Sequence, residues 1–240
     1  MKHWILLSLI LLACVPSTSK SPPTEDQNYI PGHVTIPPPA EQPRTFYASD
    51  STIPYLDTTW LCIDPSGHSV IIQNGLPRGG GSIDGSGIRG YIAANGVHYG
   101  SALFWSRLVN VSTESFTIRL TFPADSLVIP NTSNFSLSGH HILRPILPTG
   151  TLTADKLTKY NYGIEGLKPF LDEHFGMPTR LEQTIGPGEE YMFYVTLLSK
   201  VSGGGVLRTG LIAGEEGLRY SLRLEPVGEV SFPCGEITFN

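Results

Sequence analysis

Residues 116–122 read Phe-Thr-Ile-Arg-Leu-Thr-Phe. Phe116, Ile118, Leu120 and Phe122 alternate with Thr117, Arg119 and Thr121, and Pro123 ends the run. Successive side chains of a strand point to opposite faces, so a period of two puts four apolar groups on one face and three polar groups on the other. A chain carrying this segment must bring a second apolar surface against it. The pattern recurs in Leu218, Tyr220, Leu222 and Leu224, which alternate with Arg219, Ser221 and Arg223. Tyr191 to Leu198 is instead apolar at every position but Thr196, as expected of a central strand covered on both faces.

The remaining strands are marked by their turns. Asp64-Pro65-Ser66-Gly67 lies between Thr59–Ile63 and Ser69–Gln73, with Pro and Gly at the positions a turn favours. Asn95-Gly96 separates Tyr91–Ala94 from Val97–Tyr99, and Gly214–Gly217 separates Val206–Ala213 from Leu218–Leu224. Ala102 to Val111 reads as a long strand leading into the alternating one, an arrangement similar to many immunoglobulin-like sandwiches. Ile164, Leu167, Leu171 and Phe175 fall at helical spacing and Gly176 is a stop. Pro169 fits that helix only in its first turn, so a start near Lys168 is expected, with one or two turns covering a sheet edge. About ten strands without a βαβ rhythm predict an all-β fold, an immunoglobulin-like β-sandwich with one short helix.

Composition agrees: 26 Gly and 20 Pro in 240 residues, with only 15% charged, suit a loop-rich β protein. A net charge of −5 argues against nucleic acid and against electrostatic membrane binding.

The N-terminus carries a different signal. Met1-Lys2-His3 precedes an apolar run from Trp4 to Leu12 broken only by Ser8, and Leu11-Leu12-Ala13-Cys14 closes it. This layout is that of an export signal, and the run is too short to span a bilayer. Ending on Cys14, it resembles the lipobox of bacterial lipoproteins. The resemblance implies cleavage before Cys14, a diacylglycerol on its sulfur and acylation of the new N-terminus. Residues 1–13 are then a lipoprotein signal peptide, 14–45 the lipidated Cys and a Pro-rich tether, and 46–240 a single β-sandwich domain. Val15 is not Asp, which in that family implies delivery to the outer membrane. The window Val15–Lys20 lacks the acidic cluster of surface-exposed lipoproteins, and Glu25-Asp26 come late, so the resemblance favours the periplasmic face over the cell surface. Within the body, Lys159–Gly163, Leu167–Asp172 and Pro233-Cys234-Gly235 resemble stretches of uncharacterised exported Bacteroidota-type proteins, which carries over no activity and no site.

With Cys14 committed to lipid, Cys62 and Cys234 remain as an even pair in a compartment that permits disulfides. A Cys62–Cys234 bridge is expected; two buried free thiols are the competing reading.

Candidate chemistry is sparse. The Gly-rich run from Arg78 to Gly90 offers a ligand-contact loop with Arg78, Asp84 and Arg89 as its charged members. Gly85–Gly90 matches a dinucleotide fingerprint by letters, but a hairpin follows where that motif needs a helix. His140-His141 are adjacent and point to opposite faces of a strand, and His33, His68, His98 and His174 show no ligand spacing with carboxylates, so no metal site is expected. Asp172-Glu173 and Glu189-Glu190 read as solvated pairs. Trp60, Trp105, Tyr91, Tyr99, Tyr160 and Tyr162 either form a sugar-stacking platform or build the core. The Asn-x-Ser/Thr triplets at Asn110, Asn131 and Asn134 are glycosylation acceptors only in a eukaryotic host. No nucleophile sits in a recognisable context with a base. The expectation is therefore not an enzyme and no cofactor. It is an exported envelope protein held to the outer membrane through Cys14, whose sandwich binds or helps build, with an envelope protein or glycan as partner. The alternative is an exported hydrolase acting on a glycan or peptide.

Overall fold

The computed structural model describes residues 53–79, 81–83, 87, 89–129, 141–200, 206–214, 216–225 and 228–240. Cys14, the tether, Asp84, His140 and the triplets at Asn131 and Asn134 lie outside these residues, as do the side chains of His141 and Val206.

Two antiparallel sheets pack face to face. The first runs β1 (Leu56–Ile63), β2 (Ser69–Gly75), β5 (His98–Asn110), β10 (Glu190–Ser199), β8 (His141–Ile146) and β7 (Leu127–Ile129), and β3 (Arg78–Gly79) and β4 (Tyr91–Ile92) also pair with β5. The second runs β11 (Val206–Gly214), β12 (Gly217–Glu225), β13 (Gly228–Phe239), β6 (Phe116–Phe122) and β9 (Thr179–Ile185). The expected all-β sandwich is therefore the fold.

Strand β5 is the spine of the first sheet. Along one edge it takes β2 (Ile72 opposite Leu108), then β3 (Arg78 opposite Leu103), then β4 (Tyr91 opposite Tyr99). Strand β10 pairs its other edge from Glu190 opposite Val109 to Ser199 opposite Gly100. The alternation in β6 is realised as read: Phe116, Ile118, Leu120 and Phe122 are all buried between the sheets. The β11–β12 hairpin forms with Gly214 opposite Gly217.

The nearly continuous apolar run of β10 is explained by two cores. Phe193, Val195 and Leu197 face the second sheet, beside Phe104 and Leu108 of β5. Met192, Tyr194 and Leu198 face outward with Leu103 and Trp105, into a second cluster roofed by Leu152, Leu157, Tyr162, Leu167 and Leu171. The roof is residues 150–175, including the helix α1 (Leu167–His174). Pro169 sits in its first turn, where a missing N–H removes no helical bond. The expectation that this helix covers a sheet edge is corrected: Leu167 and Leu171, one turn apart, seal the outer face of the first sheet. A short helix alone could not do so, and the preceding segment supplies the rest. Within it Asn161 and Tyr162 take left-handed backbone angles (φ 47° and 53°), a conformation that costs about 1–3 kcal/mol per non-glycine residue. Burial of the Tyr162 ring and two hydrogen bonds offset this. Its hydroxyl donates to the Leu76 carbonyl at 2.6 Å, and its carbonyl accepts from the Tyr194 hydroxyl at 3.0 Å.

The Asn95-Gly96 hairpin forms with a different turn from the one the dipeptide suggests. Only Gly96 has positive φ (78°), and Ala93 N–H donates to the Val97 carbonyl, giving a three-residue loop that closes on a glycine. Among the described residues no helix is long and apolar enough to cross a membrane.

Candidate functional site at the seam between the sheets

The edges of the two sheets meet where β1 and β2 lie beside β11. Asn74, at the end of β2 and 1% exposed, joins them. Its carbonyl oxygen accepts from Leu211 N–H and from the Ser106 hydroxyl, each at 2.8 Å. Its amide donates to the Leu211 carbonyl at 3.0 Å and to Thr58 Oγ1 at 3.1 Å. All four hydrogen-bonding positions of the side chain are filled. The amide thus stands in for a neighbouring strand, satisfying both backbone groups that Leu211 presents away from β12. The approach is close enough to require glycine at 210, where a Cβ would lie 2.7 Å from the Asn74 amide nitrogen.

Beside this junction is a recess of about 150 Å3. Asp57, Thr58 and Trp60 come from β1, Asn74 from β2, Arg208, Thr209, Gly210 and Ile212 from β11, Ser221 and Arg223 from β12, and Glu229 from β13. The alternation of β11 and β12 places Arg208 directly opposite Arg223. Two like charges at that spacing repel unless countered. Asp57 lies 3.6 Å from Arg208, and Glu225 lies 3.1 Å from Arg223. Glu229 accepts from the Ser221 hydroxyl at 2.6 Å.

Asp57 is the under-satisfied member. Its side chain is 19% exposed, its ion pair with Arg208 is long, and no described residue donates a hydrogen bond to it. Burial pushes its carboxyl above the usual carboxylate range, against the pull of Arg208 and Arg223. The Trp60 indole N–H is likewise buried without a partner among the described residues.

The candidate residues named from sequence do not assemble into this site. Arg78 is clamped between its neighbours. Its guanidinium lies 4.0 Å over the Tyr55 ring, and it donates to the Lys159 carbonyl at 2.8 Å and to the Tyr55 hydroxyl. That ties β3 to the strained turn at Tyr162. Arg89 is exposed, and its backbone bridges Ser82 and is met by the His98 ring. The dinucleotide-like run does lead into strand β4. The aromatic platform is not formed: Trp105, Tyr91 and Tyr162 are core residues and Tyr99 is half-buried, while Tyr160 is exposed. Trp60 alone of that set reaches the recess.

Cys62 and Cys234 are both free, which corrects the expected disulfide. Cys62 stands opposite Val70, at the end of the sandwich where His68 stacks on Phe239 at 4.4 Å. Cys234 is five positions from Phe239 along β13, or about 16 Å of strand. The two thiols face the same core from different sheets and at different heights. Burial pushes the Cys62 thiol up to about 11 and the Cys234 thiol up as well.

One histidine has carboxylate partners that sequence spacing hid. His68 Nδ1 is 2.8 Å from Asp64 and its Nε2 is 3.1 Å from Glu114. The hydrogen bond with Asp64 raises its affinity for a proton against the effect of burial, and the charges of Asp64 and Glu114 add to that. The asparagine of the first Asn-x-Ser triplet, Asn110, is fully buried and donates to the Glu114 and Ile185 carbonyls.

No family model, curated protein or solved structure matches this chain.

Proposed function

We propose that this chain is an exported protein anchored to the bacterial outer membrane through a lipid on Cys14, and that its sandwich is a binding module whose ligand site is the seam recess. The anchoring half rests on the lipobox-like residues Leu11–Cys14. The binding half is carried by Asp57. A mostly buried carboxylate to which no described residue donates a hydrogen bond, set beside two arginines, is an arrangement that a ligand completes. A purely structural seam gains nothing from leaving it so, because replacing Asp57 by an apolar residue would remove the desolvation cost.

Both halves are testable on one preparation of full chain extracted from membranes. Its intact mass should show acyl chains on a polypeptide beginning at Cys14. With 15N-tryptophan labelling, some fraction of a solubilised envelope extract should move the indole signal of Trp60 and leave buried Trp105 in place. An unmodified N-terminus overturns the anchor, and a Trp60 signal indifferent to every fraction overturns the binding site.

A further inference from the structure

The recess contains Asp57 and Glu229 against Arg208 and Arg223, so its lining charges cancel. A strongly charged ligand gains little from lining charges that sum to zero. A zwitterion would have to compete with ion pairs that already exist, Asp57 with Arg208 and Glu225 with Arg223. What remains unused is finer: acceptor capacity on Asp57, and donor capacity on guanidinium groups that make no hydrogen bond with a described residue. A carboxylate and a guanidinium 3.6 Å apart present an acceptor beside a donor. Two adjacent hydroxyl groups fit that pair, one donating to Asp57 and the next accepting from Arg208. Hydroxyls also meet the two faces without carrying a charge into a partly dry site. The volume is that of roughly five waters, which suits a single ring rather than an extended chain. Trp60 gives the recess an apolar wall against which ring C–H groups can pack.

We infer that the seam recess binds one neutral sugar ring through a vicinal diol held between Asp57 and Arg208. The inference rests on the proposed binding role of the recess and names its ligand class. Affinity for one ring is weak, and a longer glycan gains by contacts outside the recess.

The test uses 15N-tryptophan-labelled full chain. Trp60 is assigned with Trp60→Phe. The probes are methyl α-D-mannopyranoside, methyl β-D-galactopyranoside and methyl α-D-glucopyranoside, their permethylated counterparts, and a set of free α-amino acids. At least one free glycoside should shift Trp60 in a saturable way, and its permethylated form, which has no hydroxyl to donate, should not. Asp57→Asn should weaken that glycoside by about tenfold or more, as loss of a charged hydrogen bond predicts. Glu182→Gln, an exposed carboxylate on β9, should leave it unchanged. Equal binding of permethylated and free forms overturns the diol, and binding of amino acids alone overturns the sugar while leaving the recess as a binding site. Silence from every probe overturns the sugar, and the response of Trp60 to envelope fractions then judges the binding role separately.

Discussion

Asn74→Ala should be among the most damaging single substitutions in the molecule. It removes the amide that satisfies the backbone N–H and C=O of Leu211, which is itself fully buried, and the partners of Ser106 and Thr58. Each buried polar group left unmade costs about 1–3 kcal/mol. The neighbouring recess lets water reach part of the site. The total is therefore set near about 2–4 kcal/mol, a large fraction of a domain stability of about 5–15 kcal/mol. At about 2–4 °C per kcal/mol for a domain of this size, the melting temperature should fall by roughly 5–15 °C. Asn74→Asp separates hydrogen bonding from packing, since it keeps the shape. Ionised, it faces the Leu211 carbonyl with a second acceptor and should be as damaging as Ala at pH 7. Protonated in acid, it can donate to that carbonyl, so its deficit against wild type should shrink as pH falls. Thermal unfolding across pH measures both. An alanine variant melting within about 3 °C of wild type would refute the reasoning, as would an aspartate variant with no pH-dependent deficit.

Three further outcomes follow from the same geometry. The His68 clamp should stabilise most when His68 is protonated and Asp64 is ionised. His68 is raised from 6.5, so its contribution is present below that value and lost as pH rises through the folded value. Asp64 is lowered from 3.8: burial opposes this, but hydrogen bonds from the His68 side chain and backbone win, so its contribution is lost as pH falls below that range. The melting difference between wild type and His68→Gln should therefore be largest between about pH 4 and 6.5 and smaller on either side. Asp57→Asn should hold or raise the melting temperature at pH 7, because a carboxyl raised above its ordinary value is strained in its ionised form there; a fall of several degrees would mean that the Arg208 pair outweighs burial. Alkylation of denatured, unreduced protein should label Cys62 and Cys234 both, whereas in native protein burial should make both slow; protection of both after denaturation would restore the bridge.

The strands that were legible in the sequence are those whose neighbours are local or whose burial is uniform along one face. The period of two in β6 and β12 and the turn residues at Asp64–Gly67 and Gly214–Gly217 each report a structure decided within about a dozen residues. The outer layer was only partly legible. α1 announced itself by spacing, but Leu152, Leu157 and Tyr162 sit in a segment without period, and the left-handed turn at Tyr162 exists because Arg78, Leu76 and Tyr194 hold it. The site was not legible. Asp57 and Asn74 meet Arg208 and Leu211 only after β1–β2 and β11 are brought edge to edge, and Asn74 lies just past the strand Ser69–Gln73 expected from the sequence. The one available signal was Arg208 and Arg223 at facing positions of a hairpin that could be registered from its turn. Such a pair in one row asks for counter-charges from elsewhere.

The central claim is that the recess meets its ligand in the cell envelope. A photo-crosslinking residue at Ile212, which lines the recess, tests it most directly when compared with one at Val128, an exposed position on β7. In cells expressing the full chain, position 212 should give adducts that position 128 does not, and Asp57→Asn should sharply reduce them. Equal adducts from both positions, or adducts at 212 undiminished by Asp57→Asn, would contradict the claim.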